Sequence, residues 1–236
     1  MEKLISGAQK LGIDLRPEQL DRFGIYFQEL IEWNKKINLT HITEHVEVIT
    51  KHFLDSLTVI LVWHPRDSDY VIDIGTGAGV PGLPLKIAFP GLKLVLLEAT
   101  TKKTVFLQHI VQKLNLVDVE IVTGRAETVA HLPEYREKFD VVLSRAVAEL
   151  PTAVELTLPF CRIGGSFFAQ KKGDITQELL QADKAIRVLG GKLREIKPVD
   201  LTELPDNRQL VIIDKISLTP PQYPRRPGMP EKRPLK

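Results

Sequence analysis

Apolar residues recur at spacings of three and four near the start of the chain. Leu20, Phe23, Phe27, Leu30 and Ile31 share a face with Asn34, while Glu18, Asp21, Gln28, Glu32 and Lys35 populate the others. This is the period of an amphipathic helix, and Pro17-Glu18 suits its first turn. A second stripe, Val46, Ile49, Phe53, Leu57, Ile60 and Leu61, predicts a helix over 44–63. The intervening Asn34-Lys35-Lys36-Ile37-Asn38-Leu39-Thr40 is too polar for a core and has no glycine or proline. It is expected to be a helix end and connector whose asparagines cap or fold back on the backbone.

From Asp69 the period changes. Short apolar, β-branched runs at Tyr70–Ile74, 92–97, 117–122, 139–143 and 165–169 alternate with helical segments at 84–89, 102–114, 126–131, 151–160 and 175–189. That alternation predicts an α/β fold with a mostly parallel sheet covered on both faces. Two further strands, 193–196 and 209–214, have only a Pro205-Asp206-Asn207 turn between them and are expected to pair antiparallel. The organisation expected is a helical extension over 1–65, an α/β domain over 66–219 and a tail over 220–236.

Charge changes the reading of that tail. The whole chain carries 32 basic and 30 acidic residues, a formal charge of +2. Residues 220–236 alone hold Arg225, Arg226, Lys232, Arg233 and Lys236 against Glu231, with six of the 16 prolines. Such a segment is expected to be extended and exposed, either as a solvated tail or as an arm on a polyanion such as RNA. One cysteine, Cys161, excludes an internal disulfide framework and a cysteine-rich metal site, and reads as a small buried hydrophobe. The start of the chain shows no signal-peptide core, and the longest suspicious apolar stretch, 57–63, is far too short to cross a membrane. A cytoplasmic protein with no membrane partner is expected.

The candidate chemistry begins where the first strand stops. Asp73-Ile74-Gly75-Thr76-Gly77-Ala78-Gly79-Val80-Pro81-Gly82 lies between a predicted strand and a predicted helix. Glycines there let the backbone turn sharply and approach a ligand closely, with the next helix start offering N–H groups. Gly77, Gly79 and Gly82 also satisfy a dinucleotide spacing, so NAD is a competing ligand. Glu98 ends the second strand 19 residues beyond Gly79, where an acid accepts ribose hydroxyls. Asp73 discriminates: a carboxylate at the strand mouth repels a pyrophosphate but suits the ammonium and sulfonium of S-adenosylmethionine. No Gly-x-x-x-x-Gly-Lys-Ser/Thr motif is present, so a P-loop is not supported.

Other polar residues sit on the same predicted rim. Gly124-Arg125-Ala126-Glu127 follows the third strand, and its backbone can border an adenine, though Glu127 also reads as a helix-start charge. Arg145 follows the fourth strand, as a substrate-facing cation or a structural ion pair. Lys171-Lys172-Gly173 ends the fifth strand and adds positive charge. His41, His45 and His52 complete no zinc pattern, so no metal is expected. His52 and Asp55, with Ser56 beside them, lack the nucleophile elbow of a hydrolase and are expected to contact each other.

Six motifs in order carry a specific resemblance: residues 34–40, His52-Phe53-Leu54-Asp55-Ser56, Asp73 through Gly82, Arg125-Ala126-Glu127, Ser144-Arg145-Ala146, and the closing stretch from Tyr223-Pro224-Arg225-Arg226-Pro227-Gly228 to Lys232-Arg233-Pro234-Leu235. From about residue 20 to residue 235 the sequence resembles the bacterial small-subunit ribosomal RNA guanine-N7 methyltransferases, the RsmG or GidB family. The resemblance implies a class I, Rossmann-like, S-adenosylmethionine-dependent methyltransferase acting on N7 of one guanine in the 530 loop of 16S ribosomal RNA. The expected partner is that RNA or a small-subunit assembly particle, met by a monomer.

The resemblance places the cofactor at Gly75, Val80, the Ala126-Glu127 backbone and Arg145, with Glu98, Ala99 and Thr100 at the ribose. Asp73, Gly77 and Gly79 complete the expected cofactor set. The family often carries an aromatic residue or leucine where Val80 stands, a smaller wall here. Arg145 is the expected catalytic residue. Asn34, Lys35, Asn38, Lys171, Arg225, Arg226, Lys232 and Arg233 are the expected RNA contacts. Guanine N7 already carries an in-plane lone pair, so a sparse inventory of general bases agrees with such chemistry.

Overall fold

All the short apolar runs enter one sheet. A computed structural model describes residues 1–236, with strands β1 (Tyr70–Ile74), β2 (Lys93–Glu98), β3 (Val119–Thr123), β4 (Phe139–Arg145), β5 (Cys161–Lys172), β6 (Gly191–Val199) and β7 (Arg208–Lys215). Their spatial order is β3-β2-β1-β4-β5-β7-β6. The first five are parallel neighbours, and β7 pairs antiparallel with both β5 and β6. The order reverses beside β1, the switch point where open α/β sheets bind ligands at their carboxyl ends. β5 is much longer than its apolar stretch suggests, because its pairing with β7 runs on to Lys172↔Arg208.

Successive side chains leave opposite faces of a strand, which gives the two cores. Val71, Leu94, Leu96, Val141, Leu143, Phe168, Leu210 and Ile212 share one buried cluster with Leu4, Phe23, Tyr26, Leu30, Phe53 and Leu57 of the N-terminal helices. Ile72, Ile74, Val95, Leu97, Val142, Phe167, Val211 and Ile213 belong to the other. The second cluster packs beneath the helices Leu150–Thr157 and Thr176–Val188. Asp73 shares the face of Val71 and so looks toward the N-terminal helices.

The helices of that region are α1 (Glu2–Lys10), which the spacing analysis did not single out, α2 (Pro17–Ile37) and α3 (His45–Val48). The predicted helix over 44–63 is continuous but changes winding. α3 runs into a π-helical turn, Ile49–Leu54, then α4 (Asp55–Leu57) and a 3-10 turn, Thr58–Leu61. Its buried polar residues, Thr50, His52, Asp55, Ser56 and Thr58, account for a pattern that an ideal amphipathic helix would not show. Phe53 anchors the segment, with its ring centroid 5.1 Å from that of Phe23 and 5.0 Å from that of Tyr26. In the connector, Asn34 Oδ1 accepts the Thr40 N–H at 2.8 Å and Asn38 ends α2 in the left-handed conformation, as the capping argument expects.

The tail corrects its expectation. Residues 220–236 are not an extended, exposed arm, and they include a helical turn that the proline content argued against. Proline at the second position of a helix loses no hydrogen bond, and Pro230 occupies that place in the turn Met229–Lys232. The Arg225 guanidinium pairs with the fully buried Glu155 at 2.6 Å, and the Arg225 N–H donates to the same carboxylate at 2.9 Å. Arg136 donates to the carbonyls of Thr219 and Tyr223, both at 2.9 Å, and Thr152 Oγ1 donates to that of Pro230 at 3.1 Å. Arginine content signals charge; it does not say whether a buried carboxylate is waiting for it.

Truncating Phe53 should detach the helical region from the sheet. We expect Phe53→Ala to cost about 3–5 kcal/mol in urea unfolding, the usual range for an aromatic deletion in a packed core. A cost below about 1 kcal/mol would mean that this contact does not tie the two together.

Candidate functional site

At the carboxyl end of β1 two carboxylates shape the glycine loop. Asp73 is fully buried, and its Oδ2 accepts the Thr76 hydroxyl at 2.6 Å and the Gly82 N–H at 2.9 Å. Its Oδ1 has no donor in the protein. Burial pushes the carboxyl up to about 7 against the pull of those two hydrogen bonds. Glu98 holds the loop from β2: its Oε2 accepts the Gly77 N–H at 3.0 Å and its Oε1 the Thr100 N–H at 2.8 Å. From the N-terminal side the Tyr26 hydroxyl donates to the Ala78 carbonyl.

Gly79 must lack a side chain. It sits at φ +94°, and a Cβ there would lie 2.4 Å from Leu83 and 2.9 Å from the Tyr26 hydroxyl. At Gly75 (φ +67°) a Cβ would lie 2.7 Å from Val147 and narrow the space around the strand end.

Two chambers of about 140 Å³ each meet at Gly75. One is lined by Ala99, Gly124, Ala126, Glu127, Val147 and Leu156 among others, the second by Leu39, Thr40, His52, Gly77, Val80 and Arg145. Ala99, Ala126, Glu127, Gly75, Gly77, Val80 and Arg145 therefore come together around one loop. Asp73, Gly79, Glu98 and Thr100 line neither chamber and shape the loop from behind. The Glu127 side chain is occupied: Arg125 and the Gly228 N–H donate to its Oε1 at 2.8 Å and 2.9 Å. Burial pushes that carboxyl up, but these bonds more than offset it and hold it below its ordinary value.

Arg145 lines the second chamber while its guanidinium is held by the N-terminal region. One terminal nitrogen donates to the Lys51 carbonyl and to Asp55 Oδ2, both at 2.9 Å, and the other lies 3.0 Å from His52 Nδ1. A guanidinium only donates, so His52 Nδ1 accepts and its Nε2 carries the hydrogen toward Thr40 Oγ1, 2.8 Å away. Burial first and then the Arg145 charge push His52 down to about 3, so the ring is neutral. His52 and Asp55 are thus joined through Arg145, which corrects the expected direct contact. Arg208 pairs with the same Asp55 oxygen at 2.7 Å.

Beyond this junction opens a larger cavity of about 520 Å³. Lys51, Arg145, Lys171, Lys172 and Arg208 line it against Asp55, Glu178 and Asp206, an excess of positive charge. Lys171 is committed to Glu178 at 2.6 Å and the Ala148 carbonyl at 2.8 Å, which leaves it little to offer RNA. Asn34 and Asn38 serve the connector, and Lys35 is exposed beside Glu32. Arg225, expected on RNA, is spent on Glu155, whereas Arg226, Lys232 and Arg233 remain exposed. Sequence reasoning missed Arg208 and Tyr26. An arginine beside a turn reads as a rim charge, and a tyrosine on an apolar stripe reads as core.

Comparison with known proteins now bears on this site. A profile of the GidB family, described as rRNA small subunit methyltransferase G, matches residues 19–210. Proteins named ribosomal RNA small subunit methyltransferase G are similar along the whole chain: one from Dehalococcoides mccartyi is 51% identical and one from Roseiflexus castenholzii 48%, each over 100% of both chains. Among solved structures, an O-methyltransferase from Bacillus cereus in complex with SAH superposes with a TM-score of 0.56 at 20% identity, covering 80% of this chain and 90% of that one. A precorrin-6y C5,15-methyltransferase from Geobacter metallireducens gives 0.52 at 17%, covering 70% and 88%. The last two comparisons speak to the Rossmann-like fold alone, and no helix is long and apolar enough to cross a membrane. On the sequence matches, the chain belongs to the GidB family of small-subunit ribosomal RNA methyltransferases, enzymes that use S-adenosylmethionine.

Proposed function

We propose that this enzyme methylates N7 of a guanine in the 530 loop of 16S ribosomal RNA, acting as a cytoplasmic monomer on that RNA or on a small-subunit assembly particle. The observation that carries the reading is the meeting of the two chambers at Gly75 beside a cavity with excess positive charge. The chamber at Ala99, Gly124 and Ala126 suits an adenosine, with Glu98 at the ribose. The chamber at Thr40, Gly77, Val80 and Arg145 suits the amino-acid end, and the unpartnered Asp73 oxygen suits a bound ammonium, directly or through water. When bound, the cofactor supplies an electrophilic methyl group on a sulfonium.

The protein's own task is alignment. Guanine N7 needs no deprotonation, and neutral His52 carries no charge to repel the purine as it becomes positive. Arg145 keeps a fixed place because three acceptors hold its fork. The cationic cavity beside it is suited to the phosphates that flank an unstacked base. The direct experiment is transfer of a tritiated methyl group to 16S ribosomal RNA or small-subunit particles, followed by mapping of the modified nucleotide. Label at a 530-loop guanine N7 is expected; label at another base or position would overturn the assignment.

Three variants probe the parts. Glu98→Ala removes a charged acceptor and frees the Gly77 and Thr100 amides, so cofactor affinity should fall roughly tenfold or more, corresponding to about 1.5–3 kcal/mol in calorimetry. Undiminished affinity would remove Glu98 from the cofactor site.

Asp73, with its carboxyl at about 7, is ionised above that pH and neutral below it. A bound ammonium favours the ionised form, so cofactor affinity should be full at about pH 8 and decline as the pH falls toward about 6. That slope should vanish in Asp73→Asn, and an equal slope in both proteins would assign it to another group.

Arg145→Lys cannot reproduce the fork. Its single-turnover methylation should slow on the order of 10- to 100-fold at saturating RNA and cofactor, with smaller loss of RNA binding. A wild-type rate in the folded variant would leave Arg145 as a structural cation.

A further inference from the structure

The docked tail does more than cover apolar surface. Its Gly228 N–H reaches the buried Glu127 carboxylate, 101 residues earlier in the chain. Glu127 and its neighbour Ala126 line the chamber read above as the adenosine side. The tail also holds a second lining element: Arg225 grips Glu155 and Pro230 accepts from Thr152, both on the helix Leu150–Thr157, whose Leu156 lines the same chamber. His131, just beyond the helical turn that contains Glu127, contacts the Pro224 carbonyl at 2.8 Å. One short segment thus ties together two elements that line the chamber.

We propose that residues 225–233 form a strap that sets the width of the adenosine chamber, so that strap docking and cofactor binding are thermodynamically coupled. The inference rests on reading that chamber as the adenosine side. Its physical basis is linkage. A ligand that binds with the chamber walls in their docked positions stabilises the strap, and an undocked strap lowers the ligand's affinity by the same factor. The Glu127 carboxylate is the coupling point, because it takes hydrogen bonds from its own loop and from the strap through one oxygen. The strap is a positioning element, since no part of it lines either chamber. Its charge is divided accordingly: Arg225 faces inward, whereas Arg226, Lys232 and Arg233 remain at the surface.

The test uses a chain ending at Pro227. It keeps the buried Arg225–Glu155 pair but loses the Gly228 donor, the Pro230 anchor and the Arg233 carbonyl that accepts from Arg225, so its folding is checked by circular dichroism. S-adenosylmethionine affinity, by calorimetry, should fall at least about fivefold, a loss of roughly 1 kcal/mol. In the full chain, saturating S-adenosylmethionine should slow hydrogen exchange of the amides in 228–233. That slowing should exceed the protection gained by the amides of the central strands; a purely structural tail would gain no more than they do.

Ala99→Phe, which fills the chamber, separates the two failures. If it abolishes cofactor binding while the truncated chain binds normally and exchange is unchanged, the strap proposal is overturned and the chamber reading stands. If Ala99→Phe binds as the full chain does, the chamber reading fails and takes the strap with it. A truncation that spares cofactor affinity but weakens RNA binding and its salt dependence would also overturn the strap, making the segment an RNA arm instead.

Discussion

A single buried carboxylate oxygen, Asp55 Oδ2, receives two guanidinium groups from two different strands. Arg145 comes from the end of β4 and Arg208 from the start of β7, and Asp55 itself lies in the winding-shifted helical segment before the sheet. Two arginines so close together repel unless an anion lies between them, and a carboxylate this deep is costly without partners. The three groups are therefore mutually dependent. Their junction fixes how the N-terminal helices sit over the carboxyl edge, and with that the wall between the Gly75 loop and the larger cationic cavity. His52, held neutral by burial and by Arg145, and Gln170, which donates to the Asp55 carbonyl at 2.6 Å, complete the same node.

The glycine loop obeys a similar economy. Asp73 and Glu98 take backbone N–H groups from Gly82, Gly77 and Thr100, so two acids determine where the loop runs before any ligand arrives. What remains unsatisfied in Asp73, one buried oxygen and a carboxyl lifted to about 7, is a cost that a cationic ligand relieves. Structural strain and ligand preference thus reside in one side chain. Tyr26 extends this coupling to the helical region, since its hydroxyl holds the loop at Ala78 while its ring packs on Phe53.

Local periodicity carried most of the sheet. β1 falls at its expected limits because a β-branched run ends at a glycine, and β5 exceeds its expected limits because its start pairs with β4 at Phe139 and its polar end with β7 at Arg208. The glycine loop and Glu98 were legible because strand, turn and acid follow at a characteristic spacing. The fates of Arg225 and Arg208 were not, because each depends on a carboxylate distant in sequence: Glu155 lies 70 residues from Arg225, and Asp55 belongs to the N-terminal helical region while Arg208 starts β7. Charge type can be read from a sequence, but charge pairing is a property of the fold. The tail shows this most plainly, since its prolines and arginines suggest solvent while its anchors lie in the interior.

The dependence of the target-side geometry on Asp55 is most directly tested by single-turnover methyl transfer to small-subunit ribosomal RNA by Asp55→Asn, with cofactor affinity measured on the same folded protein. Neutralising Asp55 should loosen Arg145 and Arg208 while leaving the Asp73–Glu98 loop intact. The rate should therefore fall by more than about tenfold with cofactor affinity held within about threefold. A wild-type rate, or a loss confined to cofactor affinity, would contradict the account.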